Sequence, residues 1–276
     1  MVDTTNMPHD EWEYAVVTAE IFVAVGIATW YIRKNNDQYK RSISIIPKDQ
    51  LWKSTGLSPT QLTFFRAVVF LYFVSIQCYQ LINHGVHCLA FYTTWNFILQ
   101  IVYFGLMSLL SWRIQTGRRV SPAWVHATFI LFDICFECCF LVAVVLWLIL
   151  YPLAKRDGTA SHLLNVVSYT QHGINVLILC LEFGFNHLSV QPLHGAFLVY
   201  WPTTYALFAW IVHGSTTRGF WPYPFMKVRE PYSPLWYLGL LFAHLCFFGI
   251  VYGASQIKRR FVAQKSRNGA EYQNLI

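Results

Sequence analysis

The sequence predicts an all-α polytopic membrane protein, a bundle of seven transmembrane helices forming a single domain over residues 1–276. Three observations carry this reading. Of the 276 residues 55% are hydrophobic and only 12% charged, about half the charged share of an average soluble domain. The apolar residues gather in seven runs, each long enough or nearly so to cross a hydrocarbon core of about 30 Å. The charges collect in the short segments between those runs, so the net charge of +7 speaks for topology and membrane lipids as partners rather than nucleic acid.

Residues 1–10 have no basic region and no small-residue cleavage site, so no cleaved signal peptide is expected. The first run, 13–32, ends on Arg33 and Lys34 and is the weakest because it holds Glu13 and Glu20. A polar loop, 33–60, follows, and Ser58-Pro59 at its end reads as a helix entry, a cap followed by a residue suited to the first turn. The second run, 62–81, carries Arg66 near its start, where the side chain can snorkel. After the neutral Asn83–Cys88 segment, the third run, 93–112, places Thr93, Asn96 and Gln100 on one helical face. The fourth, 129–151, holds Asp133 and Glu137 one turn apart. The fifth, Tyr169–Glu182, carries His172, Asn175 and Glu182 as a polar stripe that lipid would not tolerate. In the sixth, 195–212, Pro202 is expected to kink the helix while neighbouring hydroxyls serve the freed backbone groups. The aromatic segment Gly219–Phe225 reads as an interfacial belt or a lid, the belt preferred. The seventh run, 235–256, stops at Lys258, Arg259 and Arg260, opening a basic tail over 257–276.

One side of this topology collects fourteen of the 20 Lys and Arg. By the positive-inside rule the loop 33–60 and the tail are cytoplasmic and the amino terminus is outside or lumenal, in the plasma membrane or the endoplasmic reticulum.

Two intramembrane sites follow. In the outer half Thr93 has the hydroxyl, and His172 the base, for nucleophilic attack on an ester. Asn96, Gln100, Asn175 and His213 would bind substrate or form a polar clasp. The bland reading of Thr93 is a cap or a back-bond to its own turn. In the inner half Arg66, Asp133, Glu137 and Glu182 form a polar cluster, read as a structural ion pair ahead of a proton or ion path. No metal and no cofactor are expected: Cys135 and Cys138 make a C-x-x-C spacing inside a span, with no second ligand pair. Cys78 and Cys88 flank a short loop and are candidates for a disulfide. Glycine-rich phosphate loops, H-E-x-x-H and G-x-S-x-G are missing, and so are the motifs of rhodopsin-like receptors.

Several segments, in order, resemble the androgen-induced-gene family of membrane proteins and its relative, the rolling stone proteins. They are Phe91–Gln100, with Thr93, Asn96 and Gln100; Q-H-G-I-N at Gln171–Asn175; and Trp210–His213 followed by Phe220–Phe225. The resemblance covers about 62–256 and implies six spans with both ends cytoplasmic, the first span being an addition. It also implies an intramembrane threonine hydrolase of fatty acid esters of hydroxy fatty acids, with the threonine falling on Thr93. The second histidine of that branch is Asn175 here, and asparagine is no base. The H-x-x-N form is similar to the rolling stone branch, linked to myoblast fusion. The expectation is therefore a non-catalytic membrane protein in cell-surface interaction, fusion or signalling; the alternative is a hydrolase of a fatty ester substrate using Thr93 and His172.

Overall fold

In a computed structural model, residues 12–45, 54–215 and 219–273 are described, and among them seven helical passes form an all-α bundle without a β-strand. They are α1 (Trp12–Ile45), α2 (Pro59–His84), α3 (Tyr92–Gln115), α4 (Pro122–Val144), a composite α5, α6 (His194–Ser215) and α7 (Ser233–Gln273). Past its last residue α4 continues through a π turn, Val145–Leu150, into Tyr151–Arg156. The composite α5 joins Val166–Tyr169, a π turn Thr170–Ile174 and Asn175–Phe185.

Six of the passes are long and apolar enough to cross a membrane: Trp12–Asp37, Pro59–Ala90, Tyr92–Gln115, Pro122–Arg156, His194–His213 and Ser233–Val262. The fifth expected span, α5, is helical but not among the six, because its polar stripe dilutes its apolar run. It nevertheless runs antiparallel to α4, with His172 bonded near the end of α4 and Phe183 stacked on Phe136 closer to its start. Thr170, Gln171, Asn175 and Glu182 point inward and are buried, while Leu177 and Leu181 face out.

Several boundaries differ from expectation. The loop expected over 33–60 is helical to Ile45, and the tail is helical through Gln273, since helices that leave the apolar layer need not stop there. The fourth helix starts at Pro122, where Ser121-Pro122 supplies the entry geometry. At Ser58 the expected cap is a full capping box: Gln61 N–H donates to the Ser58 hydroxyl and Ser58 N–H to the Gln61 side chain. Cys78 and Cys88 do not pair; Cys78 faces out from α2, whereas Cys88 is buried in the turn Gly85–Ala90, and both are free thiols.

One end of the bundle gathers the basic segments. There Thr55 N–H donates to Phe185 O (2.9 Å) and the Gln115 amide to Pro59 O (3.1 Å). The Lys258 ammonium caps the end of α5 through the Phe183 carbonyl (2.5 Å), the Asn186 side chain (2.9 Å) and the Leu188 carbonyl (3.3 Å), as a cation at a helix C-terminus should. The core is aromatic, built on Phe73, Phe97, Tyr103, Phe104 and Phe132. Gly195 lets α6 and α7 approach, because a Cβ there would lie 2.9 Å from the Phe248 ring. Gly195→Ala should lower stability by about 1–2 kcal/mol, read as a fall in midpoint temperature in detergent.

Candidate functional site

Six helices and the aromatic segment surround a cavity of about 110 Å³ toward the end opposite the basic one. Its wall is mostly leucine, valine and aromatic surface from α4, its π turn and α7. Besides the tyrosines Tyr92, Tyr205, Tyr223 and Tyr237, the polar residues that line it are Glu20 of α1, Thr93 of α3, His172 of α5, Thr203 of α6 and His244 of α7. Such a pocket, apolar with a few convergent polar atoms but smaller than the about 300–1,000 Å³ of sites that enclose a whole ligand, suits one part of an amphiphile. Leu238 lines it and is 52% exposed, so the wall reaches the lipid-facing surface there.

Each polar group is held by its own element. The π turn at Thr170–Ile174 widens α5 where His172 leaves the stripe. His172 Nδ1–H donates to the Val142 carbonyl at 3.1 Å, and the His172 carbonyl accepts from Trp147 Nε1–H at 2.9 Å. With Nδ1 carrying the proton, Nε2 is the basic nitrogen of the neutral ring. Thr93 sits in the first turn of α3, its N–H 3.5 Å from the Tyr223 hydroxyl. Glu20 brings a buried carboxylate oxygen, Oε2, that has no hydrogen-bond partner among the described residues.

The aromatic segment closes one side of the cavity. Tyr223, Phe225 and Met226 line the cavity, and Tyr223 stacks edge-on to Phe91 at 5.9 Å. The Tyr237 hydroxyl donates to the Met226 carbonyl at 3.0 Å, pinning the segment to α7. Burial pushes the Tyr223 phenol above its ordinary value, so it stays a neutral hydroxyl.

The expected outer site is only partly assembled. Thr93 and His172 share the cavity, but no hydrogen bond joins them among the described residues. Asn96, Gln100 and Asn175 are buried yet do not line it. Asn96 accepts from Trp201 Nε1–H at 2.6 Å, and Asn175 from the Val176 N–H at 2.9 Å. The π turn explains the division: it breaks the α register that would keep His172 and Asn175 on one face. His213 lies apart from the polar side chains of the cavity, stacked on Trp221 at 3.9 Å with its Nδ1–H on the Phe220 carbonyl.

The expected inner cluster resolves into three separate pairs. Arg66 and Glu182 form a fully buried ion pair: Nη2 to Oε1 is 2.7 Å and Nε to Oε1 3.0 Å. Tyr103 donates to the same carboxylate at 2.9 Å, and Arg66 Nη1 reaches the Ser111 hydroxyl at 2.8 Å. Asp133 and Glu137 are not part of it, because that face of α4 meets α6 and α7 rather than α2. Asp133 accepts from His194 Nδ1–H at 2.6 Å; His194 Nε2 is 3.0 Å from the Tyr39 hydroxyl, which also meets His126. Glu137 accepts from His244 Nδ1–H at 3.1 Å, and the Tyr92 hydroxyl lies 3.2 Å from His244 Nε2.

His194 and His244 escaped the reading of motifs. Their signal was available in a plainer form: each is an ionisable residue within or at the end of an apolar run, costly in lipid unless partnered. The fold and this interior define an integral membrane protein of the multipass helical class. Compared with family models, curated proteins and solved structures, the chain matches none of them.

Proposed function

We propose that the protein holds a lipid-like amphiphile in the cavity and acts without hydrolysing it, in cell-surface interaction, fusion or signalling at the plasma membrane or endoplasmic reticulum. The cavity itself carries this reading: an apolar chamber reaching the lipid-facing surface, with an unpartnered Glu20 oxygen to accept from a ligand hydroxyl or amine. The cellular setting rests on the resemblance to the rolling stone branch through His172 and Asn175. Loop charge supports a cytoplasmic basic end.

Hydrolysis of a fatty ester is the second reading. It is favoured by Thr93 and His172 opening on one cavity, with Nε2 of His172 the free base. Against it stands the lack of a Thr93–His172 hydrogen bond, since a nucleophilic hydroxyl needs a base within reach.

A photoreactive fatty ester presented to the chain in nanodiscs separates the two. The ester should be recovered intact and crosslink to the wall around Val142–Leu150, with yield falling about tenfold in Ala206→Trp, which fills the chamber. Cleavage lost in both Thr93→Ala and His172→Ala would establish the hydrolase instead. If neither crosslinking nor cleavage occurs, both readings fail.

A further inference from the structure

Beside the cavity, three potential ligand atoms converge from two helices. A Glu137 carboxylate oxygen, Cys138 Sγ and a ring nitrogen of His244 lie within 4.8 Å of one another, and all three residues are buried. His244 Nδ1 is 3.1 Å from both Glu137 oxygens, and Cys138 Sγ is 3.2 Å from Oε2. We propose that Glu137, Cys138 and His244 bind one divalent transition-metal ion of the zinc class.

The spacing is that of a ligand set. An ion about 2.0–2.3 Å from each donor in tetrahedral geometry places the donors about 3.3–3.6 Å apart, close to the 3.1 and 3.2 Å that separate the Glu137 oxygens from His244 Nδ1 and Cys138 Sγ. Successive residues of a helix diverge around its axis, yet the Glu137 and Cys138 side chains end against each other, and the Glu137 carboxylate against an imidazole from α7. A thiolate, an imidazole and a carboxylate together suit zinc better than magnesium or calcium, which prefer all-oxygen shells.

Charge makes the same case. A divalent ion with one carboxylate, one thiolate and a neutral imidazole sums to zero. A neutral site is what an apolar membrane interior admits, whereas an unneutralised carboxylate there is costly. Binding would displace the thiol proton and the Nδ1 proton, moving the latter to Nε2, with one proton released overall. Nε2–H would then donate to the Tyr92 hydroxyl, which lies 3.2 Å away. A metal-bound histidine usually has such an outer partner, fixing its ring and tautomer. Tyr92 and His244 both line the cavity, so the ion would sit beside whatever the cavity holds. The site stands on its own geometry and does not depend on the amphiphile.

The test uses the full chain, purified in detergent without chelator from zinc-supplemented cells. Elemental analysis should find about one zinc per chain, and zinc-edge X-ray absorption should show one sulfur neighbour among nitrogen and oxygen. After stripping and loading with cobalt, a thiolate-to-cobalt charge-transfer band should appear, persist in Cys135→Ser and vanish in Cys138→Ser. His244→Ala should weaken cobalt binding at least about tenfold. Protein that is metal-free and takes up no added zinc or cobalt overturns the site. So does an absorption spectrum without sulfur, or a cobalt band that survives Cys138→Ser. The absorption measurement needs no variant, so a Cys138→Ser chain that fails to fold leaves the proposal testable.

Discussion

Glu182→Leu should destabilise the bundle by about 3–5 kcal/mol, the cost of leaving a buried guanidinium without its counter-charge. Arg66 and Glu182 are both 0% exposed, so water cannot take over the lost bonds. The double replacement Arg66→Met with Glu182→Leu should recover most of the loss, because it removes both charges and returns the space to apolar packing. Thermal unfolding in detergent, followed by intrinsic fluorescence, would show it. A single variant as stable as the parent would mean that Arg66 finds another anion or reaches water.

The second large effect is expected at the basic end. His194→Ala removes one donor from the buried Asp133 carboxylate, leaving the Gln191 N–H at 3.2 Å, and breaks the path from Asp133 through His194 to Tyr39. A loss of about 2–4 kcal/mol is expected for a charge-assisted bond whose buried acceptor is left behind. Because Tyr39 lies on α1, the variant should also exchange its α1 amides faster than the parent, as read by hydrogen–deuterium exchange. Asp133→Asn should cost less, since an amide oxygen can still accept from His194. Equal costs for the two variants would mean that the carboxylate charge, rather than the retained acceptor oxygen, carries the contact.

The passes themselves were legible in the sequence because apolar length is a local property. An ion pair at Arg66 was legible, since a guanidinium in lipid needs a counter-charge, but not which of Asp133, Glu137 and Glu182 supplies it; the bundle brings Glu182. The partners of Asp133 and Glu137 were not: a spacing of four residues puts both on one side of a helix, but chain order does not say which neighbour that side meets. Nor does it reveal a π turn, so His172 and Asn175 read as one stripe although only His172 reaches the cavity. Composition leaves the aromatic segment open between belt and lid, and the contacts that bring it to the cavity, Tyr237 to Met226 and Tyr223 near Phe91, depend on tertiary packing. The surroundings of Cys138 are hidden for a related reason. Its sequence partner looked to be Cys135, while the atoms that meet its sulfur belong to Glu137 and, across the bundle, to Tyr92 at 3.7 Å.

Native mass spectrometry of the chain released gently from nanodiscs measures most directly whether the cavity is a lipid site. The parent should carry a lipid-sized adduct at about one per chain that survives mild activation, and Ala206→Trp should lose it while keeping its helix content. A bare parent chain, or an adduct equally abundant in Ala206→Trp, would contradict lipid occupancy of the cavity.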